Sequence, residues 1–205
     1  AVEGIRDVSL ADIDYAEELG HRIKLIGSAR LTAHGLEQRV YPCMVAESAP
    51  IAHVEGATNA VVASGDFVGD TVYEGAGAGA GPTASAVVAD LVDIARGNRV
   101  PVFGVPTGAL RKLPRAPAER HRGAFYVRLT VRDRPGVIAD VAAAFRDETV
   151  SIESMIQRAR SQTEAVPVVL MMHECEEAQL QNALARIAAL DAIVERPTMI
   201  RIETI

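Results

Sequence analysis

From residue 125 to the end of the chain, the apolar residues change period in an order that few folds accept. Residues 125–131 (Phe-Tyr-Val-Arg-Leu-Thr-Val) read as a strand, ended by Asp133-Arg-Pro-Gly136. A helix over 137–145 follows, with Val137, Val141 and Phe145 four residues apart. Residues 151–159 and 166–173 read as strands. Residues 176–190 read as a helix with Leu180, Leu184 and Ile187 on one face, and 193–204 as a closing strand. The order is βαββαβ, the split-βαβ arrangement. A sheet of this kind carries two helices on one face and leaves the other face and its edges open. A second copy of the chain is therefore the expected partner, making a homo-oligomer.

The first half has a different texture. Ser9-Leu-Ala-Asp12 has the form of a capping box, with Asp in place of the usual Glu or Gln. It predicts a short helix with Ile13, Ala16 and Leu19 on its inner face and Gly20 as its stop. Residues 23–32 and 36–45 predict two strands joined at Ala33-His34-Gly35. Residues 50–54 predict a helical turn, and 58–63 and 70–74 a second hairpin around Gly65-Asp66. Glycines at 75, 77, 79 and 81 then precede a helix over 82–96, with Val87, Leu91 and Ile94 at helical spacing. Between 97 and 122, prolines recur at 101, 106, 114 and 117, and six Lys/Arg face a single Glu. That stretch reads as a solvated linker. The expected division is 1–97, a linker over 98–122, and a second domain over 123–205.

Composition excludes several functions. A net charge of −6 and an aromatic content of 4% argue against a nucleic-acid surface. No apolar run reaches the roughly 20 residues of a membrane span, and no secretory signal is legible. Cys43 and Cys175 stand far apart, and the five histidines are scattered, so no metal site is expected. The cysteine usage fits a reduced, cytoplasmic compartment. The first residue is Ala rather than Met, so the chain is expected to start inside a longer gene product.

The second half resembles an ACT domain, on the strength of Asp133-Arg-Pro-Gly136-Val137 set between the first strand and first helix of a full βαββαβ order. The first hundred residues resemble the C-terminal stretch of the homoserine dehydrogenase catalytic domain. The match rests on Glu3-Gly4-Ile5 with Asp12 to Leu25, on Val54-x-Gly56-x-x-Asn59-Ala60-Val61, and on Gly75-x-Gly77-Ala78-Gly79 leading into Pro82-Thr-Ala-Ser-Ala-Val87. The resemblance implies an α+β chain: part of a catalytic domain, with a mixed or antiparallel sheet and helices, followed by a ferredoxin-like ACT domain. It implies a parent oxidoreductase that uses NAD(P) to interconvert L-homoserine and L-aspartate 4-semialdehyde, in threonine, methionine and isoleucine biosynthesis. It also implies allosteric feedback by an amino acid, L-threonine being the one the pathway suggests.

The same resemblance implies what is missing. The family carries its dinucleotide site in an N-terminal Rossmann domain and its acid/base lysine in a D-x-x-x-K motif. The two lysines here, Lys24 and Lys112, are preceded four residues earlier by Gly20 and Gly108, so no such motif exists in the chain. No catalytic residue is expected in it, and no turnover. Gly75-x-Gly77-x-x-Ala80 formally fits a dinucleotide fingerprint, but no acidic strand end follows about twenty residues later. By resemblance, Gly79 lines the cofactor in the intact enzyme, with Gly77 beside it. Asp133 and Gly136 match the effector-binding turn, and Gln157 could hydrogen-bond an amino-acid effector. The alternative reading is a non-catalytic, amino-acid-binding ACT regulatory protein.

Overall fold

The computed structural model describes residues 2–99, 101, 103–117, 120–158 and 165–205. The elements run α1 (Leu10–Glu18), β1 (His21–Thr32), β2 (Gly35–Ala46), a 3₁₀ turn (Pro50–His53), β3 (Thr58–Gly65), β4 (Gly69–Ala76), α2 (Ala80–Ala95), a second 3₁₀ turn (Thr107–Ala109), β5 (Arg122–Arg132), α3 (Val137–Asp147), β6 (Ile152–Ile156), β7 (Ala165–Glu176), α4 (Glu177–Ala188) and β8 (Thr198–Glu203). Ala159, the expected end of β6, lies outside the described residues.

By packing, the chain forms two compact units. One comprises residues 1–47 and 114–204, the other 48–113 with Ile205. This division differs from the one expected along the chain. The first helix and hairpin join the βαββαβ elements in one six-stranded sheet, ordered β1-β2-β8-β5-β7-β6. The join is a parallel ladder from Cys43↔Arg201 to Val45↔Glu203; all other pairings in that sheet are antiparallel. The expected linker also contributes. Leu36 donates its backbone N–H to Pro114 at 2.8 Å and accepts from Ala116 at 3.0 Å, so this stretch extends the edge of β2.

Alternation along β5 builds two cores. Phe125, Val127, Leu129 and Val131 face α3 and α4, where Val141, Phe145, Leu180 and Ile187 close the layer. Burying each of the larger side chains contributes about 1.5–3 kcal/mol. The opposite face carries Tyr126, Val169, Met171 and Ile200, and it is not left open as expected. Tyr15 and Ala16 of α1 cover it, and Met44 of β2 lies on the same face opposite Ile202. The expected inner face of α1 is also rotated. Asp12, Tyr15 and Ala16 are buried and Leu19 half-buried, whereas Ile13 is exposed. The capping box forms as read, with Ser9 accepting from the Asp12 amide and the Asp12 carboxylate accepting from Ser9 N–H.

Two boundaries move for local reasons. The last strand starts at Thr198 rather than 193, because Pro197 offers no N–H to the ladder; Ile193 makes only an isolated bridge to Val131. At the end of α3, Val150 N–H bonds to Phe145 O at 2.9 Å and Thr149 N–H to Arg146 O at 3.0 Å. This is a Schellman cap, and its left-handed position, usually glycine, is Thr149 at φ 59°. A β-branched side chain there costs on the order of 1–2 kcal/mol. Thr149→Gly is expected to stabilise the fold by about 1 kcal/mol in urea titration; an unchanged midpoint would show that the cap carries no strain.

Candidate functional sites

The glycine segment lies in the unit formed by residues 48–113. There β3 and β4 pair antiparallel as a separate two-stranded sheet, and α2 follows directly. A dinucleotide fingerprint needs a parallel βαβ unit, so Gly75-x-Gly77-x-x-Ala80 is not one. What the segment does show is a tight backbone. Gly79 caps α2 at φ 123° and ψ 152°, a region open essentially to glycine alone, and no side chain bonds to the helix start. The N–H groups of Ala80 and Gly81 are therefore not used by a side-chain cap. A Cβ at Gly77 would lie 1.8 Å from Asn59 Nδ2. Asn59 Nδ2 and Gly77 N–H both donate to Ala57 O, at 3.3 and 3.1 Å. Two of the motif stretches singled out in the sequence thus meet. Lys24 sits on β1 opposite Cys43, in the six-stranded sheet of the larger unit.

Asp133 and Gly136 belong to the turn between β5 and α3 in the larger unit, and Gln157 follows β6. Gly136 adopts φ 96° and starts α3, Asp133 is half-buried, and Gln157, just past β6, is half-buried. A Cβ at Gly136 would meet nothing within 4 Å, so space is open in front of the turn. Ile156 pairs with Val169 and Val169 with Arg128, so Gln157 falls level with Leu129, four residues short of Asp133 and two strands away. At about 3.3 Å per residue and about 4.8 Å per strand, the separation is roughly 16 Å, too far for both to grip one amino acid within a single chain.

Two buried charge clusters escaped the sequence reading. In the first, Asp12 is completely buried. Arg128 Nε and Nη2 donate to it at 2.7 and 3.2 Å, Tyr126 Oη at 3.0 Å and Ser9 Oγ at 2.7 Å. Arg128 Nη2 also reaches Ser9 and Thr198. Burial pushes the Asp12 carboxyl up, but the hydrogen bonds from Arg128 and Ser9 outweigh it and hold the group below the usual carboxylate range. Burial, reinforced by Asp12, pushes the Tyr126 phenol up.

In the second cluster, Arg201 on β8 binds Glu177 at 2.9 and 2.5 Å and Glu3 at 2.8 and 2.9 Å, with its guanidinium 4.7 Å over the Tyr41 ring. Arg39 bonds Glu177 and Glu37, His121 bonds Glu37, and Tyr41 bonds Glu203. The Arg201 bonds hold the Glu3 carboxyl below its usual range. The signal for both clusters was a lone arginine inside an apolar strand: Val127-Arg-Leu and Ile200-Arg-Ile. Burial pushes the Cys43 thiol up to about 12 and Cys175 to about 11, so neither is a reactive thiolate. Among the described residues, no group of His, Cys, Asp and Glu could hold a metal, and no helix is long and apolar enough to cross a membrane.

Comparison with known proteins explains why these parts occur together. The homoserine dehydrogenase family model matches residues 1–92 and the ACT domain model residues 125–192. Homoserine dehydrogenase of Neisseria gonorrhoeae is 41% identical over 100% of the chain, and that of Pseudomonas aeruginosa 42% over 98%; in both, the match covers 48% of the relative. The chain belongs to the homoserine dehydrogenase family. It corresponds to the C-terminal catalytic segment plus the ACT domain, and it spans about half the length of the curated relatives it matches. The crystal structure of a homoserine dehydrogenase from Thiobacillus denitrificans agrees at a TM-score of 0.88 with 44% identity, covering 98% of this chain and 47% of that one. The structure from S. aureus at pH 7.0 agrees at 0.67 with 26% identity, covering 99% and 47%. Within this homoserine dehydrogenase segment, the first cluster ties Ser9 and Asp12 of the dehydrogenase match to β5 of the ACT match, and the second ties Glu3, Glu37 and Arg39 to Glu177 of the ACT match and to Arg201 on β8 just beyond it.

Two outcomes are expected. Gly77→Ala forces Asn59 aside and costs about 1 kcal/mol, the worth of the Asn59–Ala57 bond; adding Asn59→Ala removes the conflict. Gly79→Ala costs about 1–3 kcal/mol through its backbone and is not relieved by Asn59→Ala. Hydrogen exchange of β3 and β4 reads both, and equal rescue of the two variants would refute the assignment. The second outcome concerns acid. The lowered Asp12 carboxyl contributes stability that is complete above about pH 4, its unfolded value, and is lost as pH falls through the lower folded value. Asp12→Asn, by stranding Arg128, should cost about 3 kcal/mol near neutrality and flatten the acid side of the stability profile. An acid limb as steep as the parent's would exclude Asp12 as its source.

Proposed function

We propose that this chain forms part of an NAD(P)-dependent oxidoreductase that interconverts L-homoserine and L-aspartate 4-semialdehyde, in the biosynthesis of threonine, methionine and isoleucine. The observation carrying this reading is the end-to-end match, at about half the length of each relative, to proteins named homoserine dehydrogenase. The state of α2 supports it. None of its residues is buried, and Val87, Val88, Leu91 and Ile94 are all more than half exposed. A helix this apolar is built to pack against further protein.

In the intact enzyme the nicotinamide cofactor supplies the hydride acceptor or donor. The contribution of this chain is to shape one wall of that site. Gly79, with no side chain and a glycine-only backbone, lets a planar ligand approach closely, and Gly77 is pinned beside it by Asn59. The first N–H groups of α2 favour negative charge nearby. No proton-transfer lysine of the D-x-x-x-K kind exists here to complete the reaction.

The ACT module is proposed to bind an amino-acid effector, L-threonine, at Asp133, Gly136 and Gln157. Because the turn and Gln157 lie too far apart on one chain, the effector would sit between two copies, with β6 as the free edge where they meet. The cytoplasm is the proposed compartment, where the two thiols stay reduced. The purified chain with L-homoserine and NADP⁺ is expected to give no NADPH absorbance; specific production would overturn the assignment of chemistry to residues outside it. Calorimetry with L-threonine is expected to give saturable heat, and a flat titration would remove threonine as the effector.

A further inference from the structure

Residues 2–18 grip the sheet from both faces. Val2 bridges Val40, and Glu3 N–H bonds to Val40 O at 2.8 Å, so this stretch begins as a short addition to the edge of β2. From there the Glu3 side chain reaches Arg201. Arg201 pairs with Phe125, and Phe125 faces α3 and α4, so Glu3 binds on the helix-covered face. Nine residues later Asp12 binds Arg128. Arg128 pairs with Thr198 and shares the side of Tyr126 and Ile200, the face under α1. The stretch therefore passes from one face of the sheet to the other, and a bidentate arginine–carboxylate pair fastens each end.

Both arginines lie on strands at the centre of the sheet, Arg128 on β5 within the ACT match and Arg201 on β8 just beyond it, and both carboxylates belong to the dehydrogenase match. Strand β5 links this grip to the ACT turn. Arg128 lies five residues before Asp133, and between them Thr130 bonds Glu195, Val194 N–H bonds Thr130 O, and Arg132 N–H bonds Ala192 O. These bonds leave little slack along the strand. A planar, two-bond contact also transmits orientation, which a single flexible bond does not.

We propose that Arg128 and Arg201 are positioning residues that couple residues 2–18 to the turn 133–136, so that the docking of α1 and the conformation of that turn form one linked equilibrium. A ligand that favours one conformation of the turn then shifts the docking of α1, and by reciprocity α1 shifts the affinity of the turn. The regulatory use of this link rests on the proposed function; the link itself is a property of this chain and is tested without a ligand.

The test is amide hydrogen exchange and amide chemical shift in the full 205-residue chain. Asp12→Asn is expected to raise exchange in α1 by about fivefold or more and to shift the amides of residues 133–137 at the far end of β5. Arg201→Lys is expected to raise exchange in α1 as well, although it touches Glu3 on the opposite face. Ser9→Ala weakens the same docking more gently and serves if Asp12→Asn does not fold. Asp147→Asn, which disturbs only an exposed pairing with Arg146 and Arg186, should leave residues 10–18 unchanged. If α1 opens while 133–137 keep their shifts, or if Arg201→Lys leaves α1 untouched, the coupling is refuted. Failure of L-threonine to bind would instead count against the effector assignment and leave this result standing.

Discussion

A carboxylate with no solvent contact can exist in a protein interior only if its neighbours replace every hydrogen bond that water supplied. Asp12 meets that condition with the Ser9 amide and hydroxyl, the Tyr126 phenol and two nitrogens of Arg128. These donors come from the loop before α1 and from the central strand of the sheet, so satisfying the charge fixes the angle at which α1 crosses that sheet. The angle in turn places Tyr15 and Ala16 over Tyr126, Val169, Met171 and Ile200. Without that seating, the second face of the sheet would meet water as an apolar surface, and the hairpin that follows α1 would lose its approach to β8.

Much of this was legible from the chain, and the exceptions share a physical cause. The elements of the ACT module follow from local patterning, because α3 and α4 each bury one stripe, β5 alternates and β7 is a continuous apolar run. The cover over the second face was signalled, though not read, by the run Val168-Val-Leu-Met-Met172. Such a run has apolar side chains pointing both ways and belongs to a strand buried on both sides. The rotation of α1 could not be read from hydrophobicity, since its inner stripe includes an aspartate. The parallel pairing of β2 with β8 has no local signature at all. At the candidate sites, the family resemblance implied Gly79, Asp133 and Gly136. It did not reveal that Asn59 props Gly77, because that contact depends on how a hairpin folds back on its own exit.

The smaller unit behaves differently. Its hairpin and helix expose Val61, Phe67, Tyr73 and the apolar side of α2. The larger unit buries two apolar clusters, whereas no residue of α2 in this one is buried. The prolines and cations between 97 and 122 divide accordingly. The stretch at 114–116 is pinned to β2, and His121 is buried against Glu37. Proline-rich composition was a poor guide here, because a proline carbonyl still accepts a strand hydrogen bond.

The separation along the chain of the contacts that hold the larger unit has a consequence for its assembly. Arg201 and Glu3 are 198 residues apart, and Arg30 and Glu203 are 173 apart. A chain emerging from the ribosome in order would have its first helix and hairpin complete long before the strand they join is made. During that interval the β8-facing edge of β2 and the apolar side of α1 have only temporary company, and loop-closure entropy delays their proper pairing until β8 is made. The arrangement that ties residues 2–18 so firmly to β8 in the folded chain is thus also what makes synthesis the period of greatest exposure to aggregation and chaperone capture.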